Sequence, residues 1–380
     1  MTLTRKEAKT TTRAANLPKW RSLDPVLLLV SLTLSAFGIL AVYVAGSEAQ
    51  QAYAMNQALG FVLGVTGAIP LALIDYRFWQ RYLRPIYGLV ILMLLSVIFI
   101  GTAAGGAQRW VDIGPVQVQP SEFAKLGIVI VLAGYFAERA IGEHTVFLKA
   151  LGVLAVPALL VFMQPDLGTA LVFGAVFFTM AYIAGAKVVQ LAGLVVAVAI
   201  TAALAVKLKI LEEYQIARLT AFSDGDCSSW ISYQVCQSKM AIGSGGITGK
   251  GLDAQTLANL GFLPEENTDF IFSNLAERVG FVGSIVLIVL FFLLVWRILH
   301  VATISRDRFG VLIAVGVATI FLFHVFVNVG MTMGIMPVTG IPLPFISYGR
   351  SNLVVSVLSL GLLQSIAIHA KTEVSKHPKV

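Results

Sequence analysis

The feature that most constrains this chain is a run of about 20 apolar residues that recurs ten times. Such a run crosses the hydrocarbon core of a bilayer as a helix, because lipid offers no partner to an unbonded backbone amide or carbonyl. The expected spans are Val26–Val44, Met55–Ile74, Pro85–Ala104, Glu122–Phe136, Val146–Met163, Leu167–Ala184, Val188–Val206, Asp269–Trp296, Val311–Met336 and Leu353–Ala370. The chain is 57% hydrophobic and only 12% charged, against about 25% charged in a soluble domain. This excludes a soluble enzyme with one compact core, and it excludes a disordered chain. The expected fold class is all-α and polytopic: a basic tail over 1–24, a ten-helix membrane domain over 25–370, and a second tail over 371–380. A large loop, about 207–268, separates spans seven and eight.

An even number of spans puts both termini on one side. The connections on that side hold 18 basic residues in 75 positions, and those on the other side hold 7 in 109. The positive-inside rule therefore makes the termini cytoplasmic. The net charge of +7 reads as topology and contact with anionic lipid heads, and argues against a nucleic-acid partner. The Thr-rich basic start resembles a signal-peptide n-region, but the apolar run after it is too long and nine more follow. No internal repeat is visible.

The polar, Gly- and Pro-rich segments lie on the outer side, where such sequence is tolerated beside helix ends if it lines a cavity. Asp269, at the mouth of an apolar helix, reads as a partly desolvated general base or as an ordinary helix cap. Glu122 and Lys125 share one face at i, i+3 spacing. Lys125 either meets a cavity partner or snorkels to the headgroups. Asp166 reads as a turn or cap before span six. Arg109 beside Trp110 suits a phosphate, or an aromatic belt with a basic neighbour. The run Gly243–Gly251 is not a P-loop, since Gly251 stands where Ser or Thr is required. A close-packed turn and an anion-binding nest both remain open. Cys227 and Cys236, on the oxidising side, suit a disulfide that restrains the loop. His324 and Asn328, at i, i+4, suit interhelical hydrogen bonds. No His, Asp or Glu cluster has metal-ligand spacing.

Seven outer-face segments in order carry a family resemblance. They are Gly106–Trp110, Gln119–Lys125, Gln164–Thr169, Gln237–Gly246, Phe262–Glu265, Thr268–Phe272 and Pro342–Gly349. Together they resemble the SEDS family (shape, elongation, division and sporulation). Lys239, Gly249-Lys250-Gly251 and Gly340–Pro344 look more like its elongation branch than its division branch. Two departures are visible. Asn267 stands where the family usually has His, and Arg350 replaces the second Gly of Ser-Tyr-Gly-Gly.

The resemblance implies a ten-helix peptidoglycan glycosyltransferase that polymerises lipid II on the outer face of the cytoplasmic membrane, serving cell elongation and shape. It implies a class B penicillin-binding protein as partner. The family's essential aspartate matches Asp269, and its cavity charges match Glu122, Lys125 and Asp166. In the expected reaction Asp269 takes the proton of an acceptor hydroxyl, and Arg109, Lys125 and Lys239 are the candidates to neutralise the pyrophosphate leaving group. A divalent cation, Mg or Mn, could share that task, though no ligand set is legible. A lipid II flippase and a non-catalytic scaffold are the competing readings. Against transport, the polar sequence is concentrated on one face and inverted repeats are missing.

Overall fold

The computed structural model describes residues 22–44, 48–104, 107–114, 116–208, 213–222, 227–252, 254, 256, 257, 259–263 and 265–376. Most of the basic tail (1–21), Gly106, Pro264 and residues 377–380 lie outside the described residues. A helix forms at each of the ten expected positions. In order they are α1 (Pro25–Val44), α2 (Glu48–Leu73), α3 (Leu83–Ile100), α4 (Pro120–Ala137), α5 (His144–Met163), α6 (Leu167–Ile183) and α7 (Val188–Lys207). After two short helices outside the bundle, α8 (Glu213–Thr220) and α9 (Trp230–Ser244), come α10 (Ile271–Ile304), α11 (Arg308–Thr332) and α12 (Arg350–Lys376). Among the described residues nine helices are long and apolar enough to cross a membrane, and α6 is a shorter apolar helix of 17 residues. The chain is a multi-pass membrane protein.

The bundle is enclosed around α4, α11 and α12, whose buried faces include Ile128, Phe321 and Leu363. At one end Asp24 is fully buried and ties three helices together. It caps α1 through Leu27 N (3.0 Å), accepts from Arg297 Nε of α10 (2.7 Å), and exchanges backbone bonds with Gln364 of α12.

Several boundaries differ from expectation, each for a local reason. The third span was expected to run to Ala104. It stops at Ile100, because Gly101 turns into extended backbone and Thr102–Ala104 become β1 (Thr102–Ala104) of a small antiparallel sheet. The sheet continues with β2 (Ala107–Ile113) and β3 (Val116–Val118), in the order β1-β2-β3. The segment 207–268 is not simply a loop. Ser229 accepts from Ser232 N (3.2 Å) and starts α9. The Cys227–Cys236 disulfide is formed across that start.

The eighth span was expected over Asp269–Trp296. It begins at Ile271, reaches Ile304 and is broken at Gly280, whose backbone is left-handed (φ 69°, ψ −168°). The break exists because the glycine run wedges against it. Lys250 N and Gly251 N donate to the Glu277 and Arg278 carbonyls (3.0 Å each), and Phe281 N donates to Gly246 O (2.9 Å). The glycine run is therefore a close-packed turn, with the Gly246 and Gly249 amides bonded within the run and those of Lys250 and Gly251 spent on α10. Glu277 and Arg278 are charges in the first turns of this apolar helix. Both are buried and strap the segment 244–259 to α10: Glu277 takes Lys250 Nζ (2.6 Å) and Leu257 N (3.1 Å), and Arg278 binds Leu252 O, Thr256 and Asn259.

Gly280→Ala should be severely destabilising. A Cβ there would lie 2.6 Å from Thr248 C and 2.7 Å from Ile247 O, both backbone, in a conformation that only glycine adopts readily. The expected cost is on the order of 4 kcal/mol, read as a lowered midpoint in thermal unfolding of the detergent-solubilised protein.

Candidate active site

A cavity of about 470 Å³ opens at the end of the bundle that carries the sheet, α8 and the 337–349 connection. Four helices, α4, α6, α10 and α12, start around it, because alternate spans of an antiparallel bundle begin at the same end. Their N-termini carry partial positive charge. Of the residues singled out by sequence, Arg109, Glu122, Lys125, Asp166 and Asp269 all line this cavity. Lys239 does not: it is exposed on α9, over Gly334. Its neighbour Ser238 faces inward, bonded to Ser273 Oγ (2.5 Å) and Thr332 O (2.6 Å). Successive helix residues point about 100° apart, so Lys239 must turn away.

Asp269 is not a helix cap. The cap position of α10 is Phe270, and no side chain caps it. Asn328 Nδ2 of α11 instead grips the Asp269 carbonyl (2.9 Å) together with the Ile341 carbonyl (2.8 Å). Just before it in the chain, Tyr348 N donates to Asn267 O (2.7 Å), and Ser347 Oγ donates to Thr268 O (2.7 Å). The backbone around Asp269 is thus clamped between α11 and the 341–348 segment, and the side chain is left to face the cavity. Burial pushes its carboxyl up to about 6, opposed by the Arg218 guanidinium and reinforced by the Glu265 carboxylate. That is the range where a carboxylate serves as a general base near neutrality.

Lys125 does not snorkel. It is 3% exposed, 2.8 Å from both Glu122 oxygens and 3.1 Å from His324 Nε2. An ammonium only donates, so Nε2 accepts and Nδ1 carries the proton that bonds Pro342 O (3.0 Å). His324 and Asn328 therefore both join α11 to the connection beside Asp269. Asp166 does cap α6, through Thr169 N (3.1 Å), and also accepts from Ser121 Oγ (3.1 Å). Arg109, carried by β2, donates to the carbonyls of Gln164 and Pro165 and so pins the seam between α5 and α6. Tyr214 and Arg218 of α8 also line the cavity. Sequence reasoning passed over both, although their i, i+4 spacing puts them on one helix face.

A clamped, partly desolvated carboxylate in a cation-bearing cavity at one end of ten apolar helices defines the polar site of a multi-pass membrane protein. The chain belongs to the FtsW/RodA/SpoVE cell cycle protein family, whose model matches residues 24–372. It is 37% identical over 362 residues to the peptidoglycan glycosyltransferase MrdB of Escherichia coli, covering 92% of this chain and 94% of that one. Its fold matches a chain of a peptidoglycan synthase complex solved to show how polymerization and crosslinking are coordinated, with a TM-score of 0.79 at 28% identity over 92% of this chain and 98% of the other. It also matches the crystal structure of the rod shape determining protein RodA of Thermus thermophilus, with a TM-score of 0.71 at 28% identity over the same shares of the two chains.

Proposed function

We propose that this protein is a peptidoglycan glycosyltransferase that polymerises lipid II at the outer face of the cytoplasmic membrane. The observation that carries the reading is the placement of Asp269: clamped by Asn328, facing the cavity, and raised to about 6. In the reaction Asp269 accepts the proton of the acceptor's GlcNAc 4-hydroxyl as that oxygen bonds to C1 of the donor MurNAc with inversion. The C1–oxygen bond breaks, and its electron pair leaves with undecaprenyl pyrophosphate. The excess of basic residues in the connections at the opposite end supports an outward-facing cavity. A class B penicillin-binding protein as partner fits the likeness to the synthase complex. Among the described residues no three His, Cys, Asp or Glu side chains converge as a cation site. Glu122 is closed on Lys125, and Asp166 is engaged by two donors. These residues do not fit a resident Mg or Mn ion.

The test is polymerisation of labelled lipid II by purified protein, with and without a class B transpeptidase. Glycan strands resolved on a gel are expected. Movement of lipid II across vesicles without polymer would instead make the protein a transporter.

The reaction should also have an acid limb. The base must be ionised, so the rate falls tenfold per pH unit below about 6 and levels off above it. A profile that is flat down to pH 4.5 would remove Asp269 from the proton transfer.

A further inference from the structure

Three cations face the cavity from described residues, and two are already engaged. Arg109 spends Nε and Nη2 on the Gln164 and Pro165 carbonyls, and Lys125 is enclosed between Glu122 and His324. Arg218 is different. Among the described residues no hydrogen bond or ion pair holds its guanidinium. Its backbone is fixed nonetheless, since Val338 N donates to Arg218 O (3.1 Å) and Gln215 one turn earlier is buried.

Gly340 shows what the guanidinium faces. Its backbone is left-handed (φ 72°), and a Cβ built on it would lie 3.2 Å from Arg218 Nη1 and 3.2 Å from Asp269 Oδ2. The two charged groups are therefore no more than twice that distance apart, and they form no ion pair. In-line displacement puts the base and the departing oxygen on opposite sides of one carbon. Asp269 and Arg218 both line the one cavity beside Gly340, within reach of a single bound substrate. The helix N-termini around the cavity add positive potential on the same ground.

We propose that Arg218 is the diphosphate-binding residue of this cavity, holding the polyprenyl diphosphate of the donor and then of the departing product. This rests on the polymerase reading and deepens it. As Asp269 takes the hydroxyl proton and the new O–C1 bond forms, the electron pair of the breaking C1–O bond passes to the diphosphate. The Arg218 fork takes up that added charge through paired N–H donors. The task moves from Lys239, which faces away, to a residue on α8.

The experiment uses the full chain in detergent with labelled undecaprenyl pyrophosphate. Arg218→Gln should weaken binding about tenfold or more, and Arg218→Lys should recover part of the loss. Polymerisation by Arg218→Gln is then followed to pH 8.5, where Asp269 is ionised with or without its neighbour. It should stay impaired. Full recovery at high pH would show that Arg218 only tunes Asp269, and unchanged diphosphate affinity would likewise overturn the assignment. If Arg218→Gln unfolds, Arg218→Lys carries the test, with a severalfold weaker affinity expected and an unchanged one overturning the proposal. A wild-type protein that binds the diphosphate through Arg218 yet makes no polymer would sink the polymerase reading and leave this site standing. A wild-type polymerase whose Arg218→Gln variant binds normally would do the reverse.

Discussion

Asp269→Asn should cut lipid II polymerisation by about 10²–10⁴-fold, the range expected for losing a positioned general base, while the protein folds and still binds substrate. Asparagine matches aspartate in shape. Among the described residues no hydrogen bond engages the carboxylate, so nothing is broken. The position is fixed through its carbonyl, which Asn328 grips whatever the side chain. Stability should move the other way. The folded protein holds the Asp269 proton more tightly than the unfolded chain does, since burial raises the group to about 6. Ionisation therefore costs folding free energy, beginning above the unfolded value near 4 and complete above about 6. At pH 8 the Asn variant should unfold at the same temperature as wild type or higher, and the difference should shrink as pH falls toward 4. A large loss of rate with no loss of thermal midpoint is the signature of a residue kept for chemistry. Retention of half the rate would end the general-base assignment, and a lowered midpoint would mean the carboxylate holds the fold.

What could be read from the sequence follows from which forces act locally. Lipid demands internally bonded helices, so each 20-residue apolar run announced its span, and all ten formed. Hydropathy cannot see where a helix yields to a strand of equal apolarity, and Thr102–Ala104 was misread for that reason. Nor can it tell a charge at an interface from one strapped inside: Glu277 and Arg278 are held by a segment about 20–30 residues earlier in the chain. The cavity acids Glu122, Asp166 and Asp269 stood out because charge is scarce beside apolar helices. Arg218 did not, because α8 is short and amphipathic and lies in a polar stretch where an arginine is unremarkable. Its meaning comes from Gly340, more than 100 residues later, which no local pattern connects to it.

The second large effect is expected at the Glu122–Lys125 pair, where Lys125→Met should cost the fold as well as the activity. Both side chains are almost fully enclosed, so removing Lys125 alone strands a carboxylate with no counter-charge. Breaking one partner of a buried pair costs about 3–5 kcal/mol. Lys125→Met should therefore lower the thermal midpoint sharply. Replacing both, as Glu122→Gln with Lys125→Met, removes the unpaired charge and should restore most of the stability, since a buried pair contributes little net over neutral groups of similar volume. The double variant is then the one in which to read activity. Lys125 also donates to His324, whose other nitrogen holds the Pro342 carbonyl, two residues beyond Gly340, which lines the cavity with Asp269. Loss of that donor frees the ring and loosens the connection that shapes the reacting gap. Polymer yield in the stable double variant should stay about tenfold or more below wild type, as expected when supporting groups around a site are lost. A double variant that regains both stability and full polymerisation would make the pair purely architectural, and the cavity's chemistry would then rest on Asp269 and Arg218.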